Sequence, residues 1–386
     1  MGVHPVDRAR LHRHSMKRRT TPFLHTAPLP EWWTPLFEAS GSDSVFLSPA
    51  WMATWVAVYG ADFTGAWVHW EVDGLVVAGC LLVERVIRIK GVPFRSQFLN
   101  ATGQAQAPTP LAEFNDVLHL PGRGDAVGAD FVQVLHERAW GRLLLSGHEA
   151  DSVVGRALAD VGGTQTEQRC QPSPFVDLRV LGDKPFESTV TGKSGTNLRR
   201  NRRDYETQLG EVSVQRAQTL DEALRFFDEL RVLHLARWTD LDRSTSLAAD
   251  AVVEFHRRVI RALFDGGSVD LLRVGNADQA VGYLYNFVVR GKVSMFQSGF
   301  DYEPSSKRSP GLLTHTLAIE HYRQRGVREY DFLSGDAQYK RTLCNGVREL
   351  MWTTVYRDRP WIRMLLAARR LRARMNRALE QVPEAA

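Results

Sequence analysis

The chain has 386 residues, 44% of them apolar and 24% charged, with a net charge of +5, which is the composition of a soluble globular protein large enough for two domains. Its longest apolar run, from Leu75 to Val83, is far shorter than the ~20 residues of a membrane-spanning helix. No secretory signal is recognisable, and the three cysteines match no metal or redox spacing, so we expect a cytoplasmic protein that binds no metal.

The N-terminal segment is rich in Arg, His and Pro and has no hydrophobic periodicity. We therefore predict that residues 1–28 are disordered. Residues 1–19 alone carry a net charge of +5, which is suited to a polyanion but is equally typical of a solvated tail.

Residues 29–180 are predicted to form an α/β domain. A helix should begin at Ser48-Pro49, because Ser is a favoured N-cap and Pro a favoured first residue, and it should end at Gly60. A hairpin should follow with its turn at Asp73-Gly74. The later predictions are a strand at 116–120, a loop at 122–128, a helix at 129–139, a strand at 140–146, a helix at 151–161 and a proline-rich connection at 171–185.

Residues 181–356 are predicted to form a second α/β domain. A capping box at Thr219-x-x-Glu222 opens its longest helix, which runs towards Trp238. Its other predicted elements are helices at 197–209, 250–264 and 311–325 and strands at 269–274, 280–289, 292–300 and 327–333. The hairpin of this half repeats the pattern of the hairpin in the first half, in which a polar turn is followed by an apolar residue and Gly.

Residues 357–386 form a basic C-terminal segment. Residues 357–377 carry a net charge of +7, which leaves the body of the chain at −7. The helical pattern has an apolar side made by Trp361, Leu365, Leu366, Leu371 and Met375. Two interpretations stay open, namely peripheral contact with an anionic membrane or packing of this side on the body.

The candidate functional residues lie at the ends of two strands in the second half. One strand ends in Gln297-Ser298-Gly299-Phe300-Asp301, and the other leads into the segment from Asp331 to Lys340. Ser309-Pro310-Gly311 opens the helix between them. Sites in α/β proteins are usually built at such strand ends, so we expect these residues to converge.

This ordered set of motifs resembles the C-terminal half of GNAT-fold acyltransferases. It is most similar to the CelD-type branch, whose relatives include the FemABX aminoacyl transferases. The resemblance implies an α/β fold of two tandem GNAT-like domains, each a mixed sheet flanked by helices. It also implies an acyltransferase that uses acyl-CoA, of which acetyl-CoA is one example, as its co-substrate.

The resemblance implies catalytic roles for Tyr339, Lys340 and Asp331. Tyr can return a proton to a leaving thiolate, and Lys can stabilise an oxyanion. Each also has a purely structural interpretation, since a half-buried Tyr beside a Lys is common and Asp331 is well placed to accept hydrogen bonds within the strand end.

The helix start at Ser309, Pro310 and Gly311, with Arg308 before it, is predicted to bind an anion. Exposed amides and the helix dipole favour negative charge there, and in the GNAT fold the matching turn holds the pyrophosphate of acyl-CoA. The glycine pattern of that turn is incomplete here, because only Gly311 is present. An aminoacyl-tRNA donor is therefore an open alternative.

Substrate-binding residues are predicted on the long helix and the central strand. His234, Arg237 and Trp238 lie within about one helical turn, so they share a face, and Gln297 should point into the same cleft. Arg could bind a carboxylate or a phosphate, and Trp could line an acyl pocket. A packed cluster at the helix end is the structural alternative.

The sequence thus predicts transfer of an acyl group from a thioester to an amine or hydroxyl of a small-molecule or peptide acceptor. Two alternatives remain. The first is a FemABX-type transferase that uses aminoacyl-tRNA and forms an amide bond. The second is a non-catalytic GNAT-fold scaffold in envelope or polysaccharide assembly.

Overall fold

The computed structural model describes residues 16–89, 91–100, 110, 112–162, 164–241, 245–302 and 308–380. No helix within these ranges is long and apolar enough to cross a membrane.

One continuous mixed sheet runs through both halves of the molecule. Its strands are β1 (Lys17–Pro22), β2 (Thr64–Val72), β3 (Leu75–Ile89), β4 (Val92–Leu99), β5 (Leu118–His119), β6 (Arg142–His148), β7 (Thr164–Asp177), β8 (Ser213–Arg216), β9 (Val269–Gly275), β10 (Ala280–Val289), β11 (Lys292–Phe300), β12 (Glu329–Asp331) and β13 (Gly346–Arg357). Their order is β1-β2-β3-β4-β6-β13-β7-β12-β11-β10-β9-β8, and β5 pairs with β3.

Helices cover both faces of this sheet. They are α1 (Trp33–Ser40), α2 (Pro49–Tyr59), α3 (Gly124–Glu137), α4 (Val153–Ala157), α5 (Phe186–Thr189), α6 (Gly192–Leu209), α7 (Leu220–Asp240), α8 (Asp250–Phe264), α9 (Pro310–Gln324), α10 (Gln338–Leu343) and α11 (Pro360–Glu380). Helices α1, α2, α7 and α8 share one core that spans both halves. Helices α3 and α4 cover the other face of the first half, and α5 and α9 cover that face of the second half.

Strand β13 joins the two halves. It is the last strand of the second half in the sequence, yet it lies between β6 and β7 of the first half and pairs antiparallel with both. Strand β7 in turn pairs with β12 of the second half. The two halves therefore share a sheet, because strands from each half complete the ladder of the other.

Strand β7 corrects the prediction of a proline-rich connection at 171–185. Residues 171–177 continue the strand, and both Pro172 and Pro174 lie within it. Their carbonyl oxygens accept hydrogen bonds from Gly335 and Phe332 on the side away from β13. Within a strand, the N–H and C=O of one residue point to the same side. The positions where Pro172 and Pro174 lack an N–H therefore also face away from β13, and the ladder to β13 is not interrupted.

Four further predictions in the first half were wrong in whole or in part. Residues 17–22, predicted to be disordered, form β1 and pair with β2. The segment 122–128 is not a loop throughout, since helix α3 begins at Gly124. The strand predicted at 116–120 has only two residues, and the helix predicted at 151–161 is limited to Val153–Ala157 with a short 3-10 turn after it.

Most predictions for the second half are confirmed, although α6 begins at Gly192 and not at 197, and β12 covers only Glu329–Asp331 of the strand predicted at 327–333. Strands β9, β10 and β11 and helices α7, α8 and α9 match the expected ranges within one or two residues. Thr219 caps α7, because its hydroxyl accepts a hydrogen bond from the N–H of Glu222. Local signals are strongest here because the strands are apolar and the turns carry glycine.

Candidate active site

The central feature of the site is the divergence of two parallel strands. β11 and β12 pair only from Lys292 to Ser294, opposite Glu329 to Asp331. β11 continues to Phe300 with none of the described strands paired along that edge, whereas the chain after Asp331 turns away. Within β11, the register against β10 shifts so that Phe296 is the extra residue of a β-bulge. Bulges re-aim side chains and end pairing, and this one lies where the strands separate.

A cavity of about 460 Å³ opens between the two diverging strands. Helix α7, the bulged strand β11 and the segment after β12 supply most of its wall, and the first half of the chain contributes Phe46, Pro110 and Glu113. Six of the eleven predicted site residues line this cavity: His234, Arg237, Trp238, Gln297, Tyr339 and Lys340.

His234 holds helix α7 against β11. Its Nδ1 lies 2.9 Å from the carbonyl oxygen of Ser298, and its Nε2 lies 2.9 Å from the hydroxyl of Thr245. A neutral ring that donates from Nδ1 and accepts at Nε2 satisfies both bonds, and burial lowers the pKa of His234, which favours this neutral form. Its polar atoms are therefore committed to the fold.

Arg237 places a positive charge in the wall of the cavity. Its guanidinium lies 4.4 Å from the ring centroid of Tyr302, and no carboxylate pairs with it in the part of the chain that the structure describes. A guanidinium stacked on a ring keeps its N–H edge available for a carboxylate or a phosphate. Trp238 lies beside it, with its ring 5.7 Å from that of His234.

Lys340 is bound to the backbone of the turn that follows β12. Its ammonium donates to the carbonyl oxygens of Phe332, Leu333 and Ser334 at 2.8, 3.1 and 2.7 Å. These three bonds use all of its donors and fix the turn that follows β12, where Leu333 has a φ of 58°. Burial lowers the pKa of Lys340 to about 8. The prediction that it stabilises an oxyanion conflicts with this geometry, since no proton remains for a ligand.

Tyr339 faces the cavity from the start of α10. Its ring stacks on that of His315 with centroids 4.7 Å apart and an angle of 2° between the planes. Burial raises the pKa of Tyr339 well above its usual value, and the nearby phenol of Tyr302 raises it further. The phenol therefore stays protonated and can act as a proton donor.

Asp331 lies behind the cavity and does not line it. It is fully buried, and its Oδ1 accepts from the N–H of Leu333 at 2.7 Å and from the hydroxyl of Ser173 at 3.2 Å. Its Oδ2 lies 3.4 Å from the ammonium of Lys292 and 3.7 Å from the guanidinium of Arg348. These contacts join β12 to β7, β11 and β13, which matches the structural interpretation of this residue.

The predicted anion site at the start of α9 is also outside the cavity. Asn201 binds both backbone groups of Ser309, and an added Cβ on Gly311 would lie 3.1 Å from the ring of Phe300. Gly311 thus permits close packing of α9 on the sheet. Pro310 is buried, and Arg308 lies over the ring of Tyr205. Residues 303–307, just before this turn, lie outside the described residues.

Glu113 is the site residue that the sequence did not reveal. It comes from the first half, is only 5% exposed, and lines the cavity beside Ser334. Burial raises the pKa of its carboxyl, and the hydrogen bonds from Ser334 offset part of this effect. No local motif surrounds Glu113, so only the pairing of the two halves brings it to the site.

Comparisons with known proteins agree with this geometry. Residues 192–341 match the family described as acetyltransferase (GNAT) domain. No curated protein matches the sequence. Among solved structures, FemX superposes with a TM-score of 0.55 at 9% identity, over 87% of this chain and 96% of that one.

Two further solved structures show the same fold. L-PGS from Bacillus licheniformis has a TM-score of 0.51 at 13% identity, over 89% of this chain and 96% of that one. The C-terminal domain of an Agrobacterium fabrum protein described as a lysylphosphatidylglycerol synthetase has a TM-score of 0.51 at 12% identity, over 86% and 94%. Together these comparisons lead to one conclusion: residues 192–341 are similar to the acetyltransferase (GNAT) domain family, and the chain as a whole shares the fold of these solved structures.

Proposed function

We propose that the protein transfers an acyl group from acyl-CoA to an amine or hydroxyl acceptor by direct attack on the thioester. The divergence of β11 from β12 is the observation that carries this proposal. It leaves a strand edge of β11 open to the cavity. Backbone N–H groups on such an edge can polarise the thioester carbonyl without any reorganisation during the reaction.

The acceptor would be activated by Glu113. Its carboxylate removes a proton from the acceptor nitrogen or oxygen as the lone pair of that atom attacks the carbonyl carbon. A carboxyl with a pKa raised by burial is better matched to this task near neutral pH than an exposed one. The hydrogen bonds from Ser334 hold the carboxylate in place.

The leaving group would be protonated by Tyr339. When the tetrahedral intermediate collapses, the carbon–sulfur bond breaks and its electron pair stays on sulfur, which takes the phenolic proton. The stack on His315 fixes the direction of the phenol. Lys340 takes no part in these steps, and its role is to hold the 332–334 turn that carries Ser334.

An aminoacyl-tRNA donor remains the second candidate, favoured by the surface of α6. Lys193, Arg199, Arg200 and Arg203 are exposed there, and none forms an ion pair with another described residue. A polyanionic donor could bind such a surface. In this candidate the bond that breaks is the carbon–oxygen bond of the aminoacyl ester, and Tyr339 would give its proton to the ribose oxygen instead of to sulfur.

Thermal unfolding with a panel of acyl-CoAs and charged tRNA tests the donor. A ligand at 100 times its dissociation constant adds about 2.7 kcal/mol to the free energy of unfolding, which raises Tm by several degrees. Stabilisation by one acyl-CoA supports the first candidate, and stabilisation by charged tRNA alone supports the second. If neither stabilises the protein, the non-catalytic scaffold becomes the better description.

Thiol release from the stabilising acyl-CoA then tests the site. Tyr339→Phe should lower kcat about 100-fold or more, because a positioned acid contributes on the order of 100-fold or more. Tyr59→Phe is the matched control, since Tyr59 lies on α2, outside the cavity. Unchanged turnover in Tyr339→Phe would remove that residue from the mechanism.

A further inference from the structure

Helix α11 presents apolar side chains to water. Ile362 and Leu366 pack against Phe94 and Tyr356, which confirms that one side of the helix contacts the body. On another side, however, Trp361, Met364 and Leu371 are 39%, 74% and 60% exposed. The spacing of three and seven residues along the helix places these three side chains in one stripe. Ile362 and Leu366 lie on the opposite side and hold the helix on the body, so the exposed apolar stripe is free to enter a membrane interface.

A cavity of about 640 Å³ lies at the base of this helix. Its wall combines guanidinium groups with aromatic rings, namely Arg95, Arg138, Arg357, Arg359, Trp140 and Trp361. Arg357 is bound to carbonyl oxygens at the end of α3, and Arg95 pairs with Glu84.

Two of these arginines have no acidic partner. Neither Arg138 nor Arg359 forms an ion pair with any residue that the structure describes, and the buried Nε of Arg138 lacks a hydrogen-bond acceptor. A guanidinium in this state is suited to bind a phosphate. The ring of Trp361, with its centroid 5.1 Å from that of Phe94, lines the same cavity and begins the exposed stripe.

We propose that α11 and the cavity at its base bind the surface of an anionic phospholipid membrane. The stripe of Trp361, Met364 and Leu371 would enter the interface between headgroups and acyl chains, while Arg138 and Arg359 would contact a headgroup phosphate. The net charge of +7 on residues 357–377 adds a general attraction to an anionic leaflet.

Other occupants fit this surface less well. A second copy of the chain would bring two segments of +7 together, and the repulsion opposes that contact. RNA would satisfy the arginines but would leave the exposed Met364 and Leu371 without an apolar partner.

Sedimentation of the full chain with vesicles tests the proposal. Binding to vesicles of phosphatidylglycerol and phosphatidylcholine, at least tenfold stronger than to phosphatidylcholine alone and weakened at 0.5 M NaCl, is the expected result. Met364→Ser with Leu371→Ser, and separately Arg138→Gln with Arg359→Gln, should each weaken this binding about tenfold. The matched control is Val180→Ser with Val232→Ser, because these valines are 71% and 67% exposed and belong to other elements than α11.

A set of outcomes would overturn the proposal. These are equal binding to neutral vesicles, binding that neither double variant alters, displacement of the vesicles by poly(U), and a dimer in solution that Met364→Ser with Leu371→Ser dissociates. Circular dichroism and Tm of each variant establish that a loss of binding is not a loss of folding. None of these readouts depends on transferase activity.

Discussion

The carboxylate of Glu113 accepts two hydrogen bonds from Ser334, one from its backbone N–H at 2.8 Å and one from its hydroxyl at 2.5 Å. Glu113 belongs to the first half of the chain, and Ser334 follows β12 in the second half. The cavity of the GNAT domain is therefore closed by a residue from outside the segment that matches the family. The first half contributes to the candidate active site as well as to the sheet.

Replacing Glu113 by Gln tests its assigned role as the base. Gln keeps one oxygen for Ser334 but cannot take a proton, so kcat should fall about 100-fold or more while the KM for the donor changes little. Glu349→Gln, at an exposed position of β13, serves as the control. A kcat within twofold of wild type would show that another group removes the proton.

Replacing Arg237 by Gln tests whether the ligand carries an anionic group. Arg237 is stacked on Tyr302 without an acidic partner in the described chain, so a carboxylate or phosphate of a substrate should pair with it. Losing that pair should raise KM for one substrate about 10- to 100-fold, because a charge-assisted hydrogen bond contributes about 1.5–3 kcal/mol. Steady-state kinetics with each substrate varied in turn identifies which one carries the anion, and no change in either KM would contradict the prediction.

Replacing Lys340 by Met should destabilise the fold by about 3 kcal/mol or more. The change leaves three buried carbonyl oxygens, those of Phe332, Leu333 and Ser334, without their donor. Urea unfolding measures the loss, and Lys184→Met at an exposed position is the control. If Lys340→Met unfolds at the wild-type midpoint but loses turnover, the structural assignment is wrong and the catalytic one returns.

Replacing Gly299 by Ala should disturb the contact between α7 and β11. An added Cβ would lie 2.3 Å from the carbonyl oxygen of Leu230, so helix and strand must separate. We expect a loss of about 1–3 kcal/mol, as in other overpacked interiors, together with weaker ligand binding because α7 forms a wall of the cavity. Gly266→Ala is the control, since the nearest atom to its added Cβ would be 3.8 Å away. Equal stability of the two variants would contradict this prediction.

Because two histidines are buried, we predict that acid destabilises the protein. Burial lowers the pKa of His256 and of His315 to about 3, whereas the unfolded chain titrates near ~6.5. Between these two pKa values the unfolded state binds more protons than the folded state. The contribution of the neutral histidines to the free energy of unfolding is therefore fully present above the unfolded pKa and is lost as the pH falls towards 3. Each histidine contributes a slope of up to ~1.4 kcal/mol per pH unit.

The variant His256→Phe separates this effect from other acid transitions. His256 is packed among aromatic rings, including those of Phe255 and Phe296, so Phe should fit its place. The free energy of unfolding from urea titrations between pH 7 and 4 should then depend less steeply on pH. An unchanged slope would mean that protonation of His256 does not contribute.

The sequence by itself determined most of the second half. Alternation and apolar runs predicted β9 to β11, and the capping box of Thr219 and Glu222 predicted the start of α7. The sequence also predicted that Gln297, Arg237 and Tyr339 line one cleft. These signals succeed because they are local. A helix cap, a turn or the alternation of a strand depends on residues only a few positions apart. The sequence alone therefore contains the information needed to predict these features.

Only the tertiary structure decided which side chains line the cavity and which are bound within the fold. Pro172 and Pro174 can join a strand because the edge where each lacks an N–H faces away from β13. Lys340 has no donor left for its predicted role, because three carbonyl oxygens accept hydrogen bonds from its ammonium. Glu113 reaches Ser334 across 221 residues of sequence. Such contacts depend on how distant segments pair in one sheet, and the spacing of residues along the chain contains no measure of that.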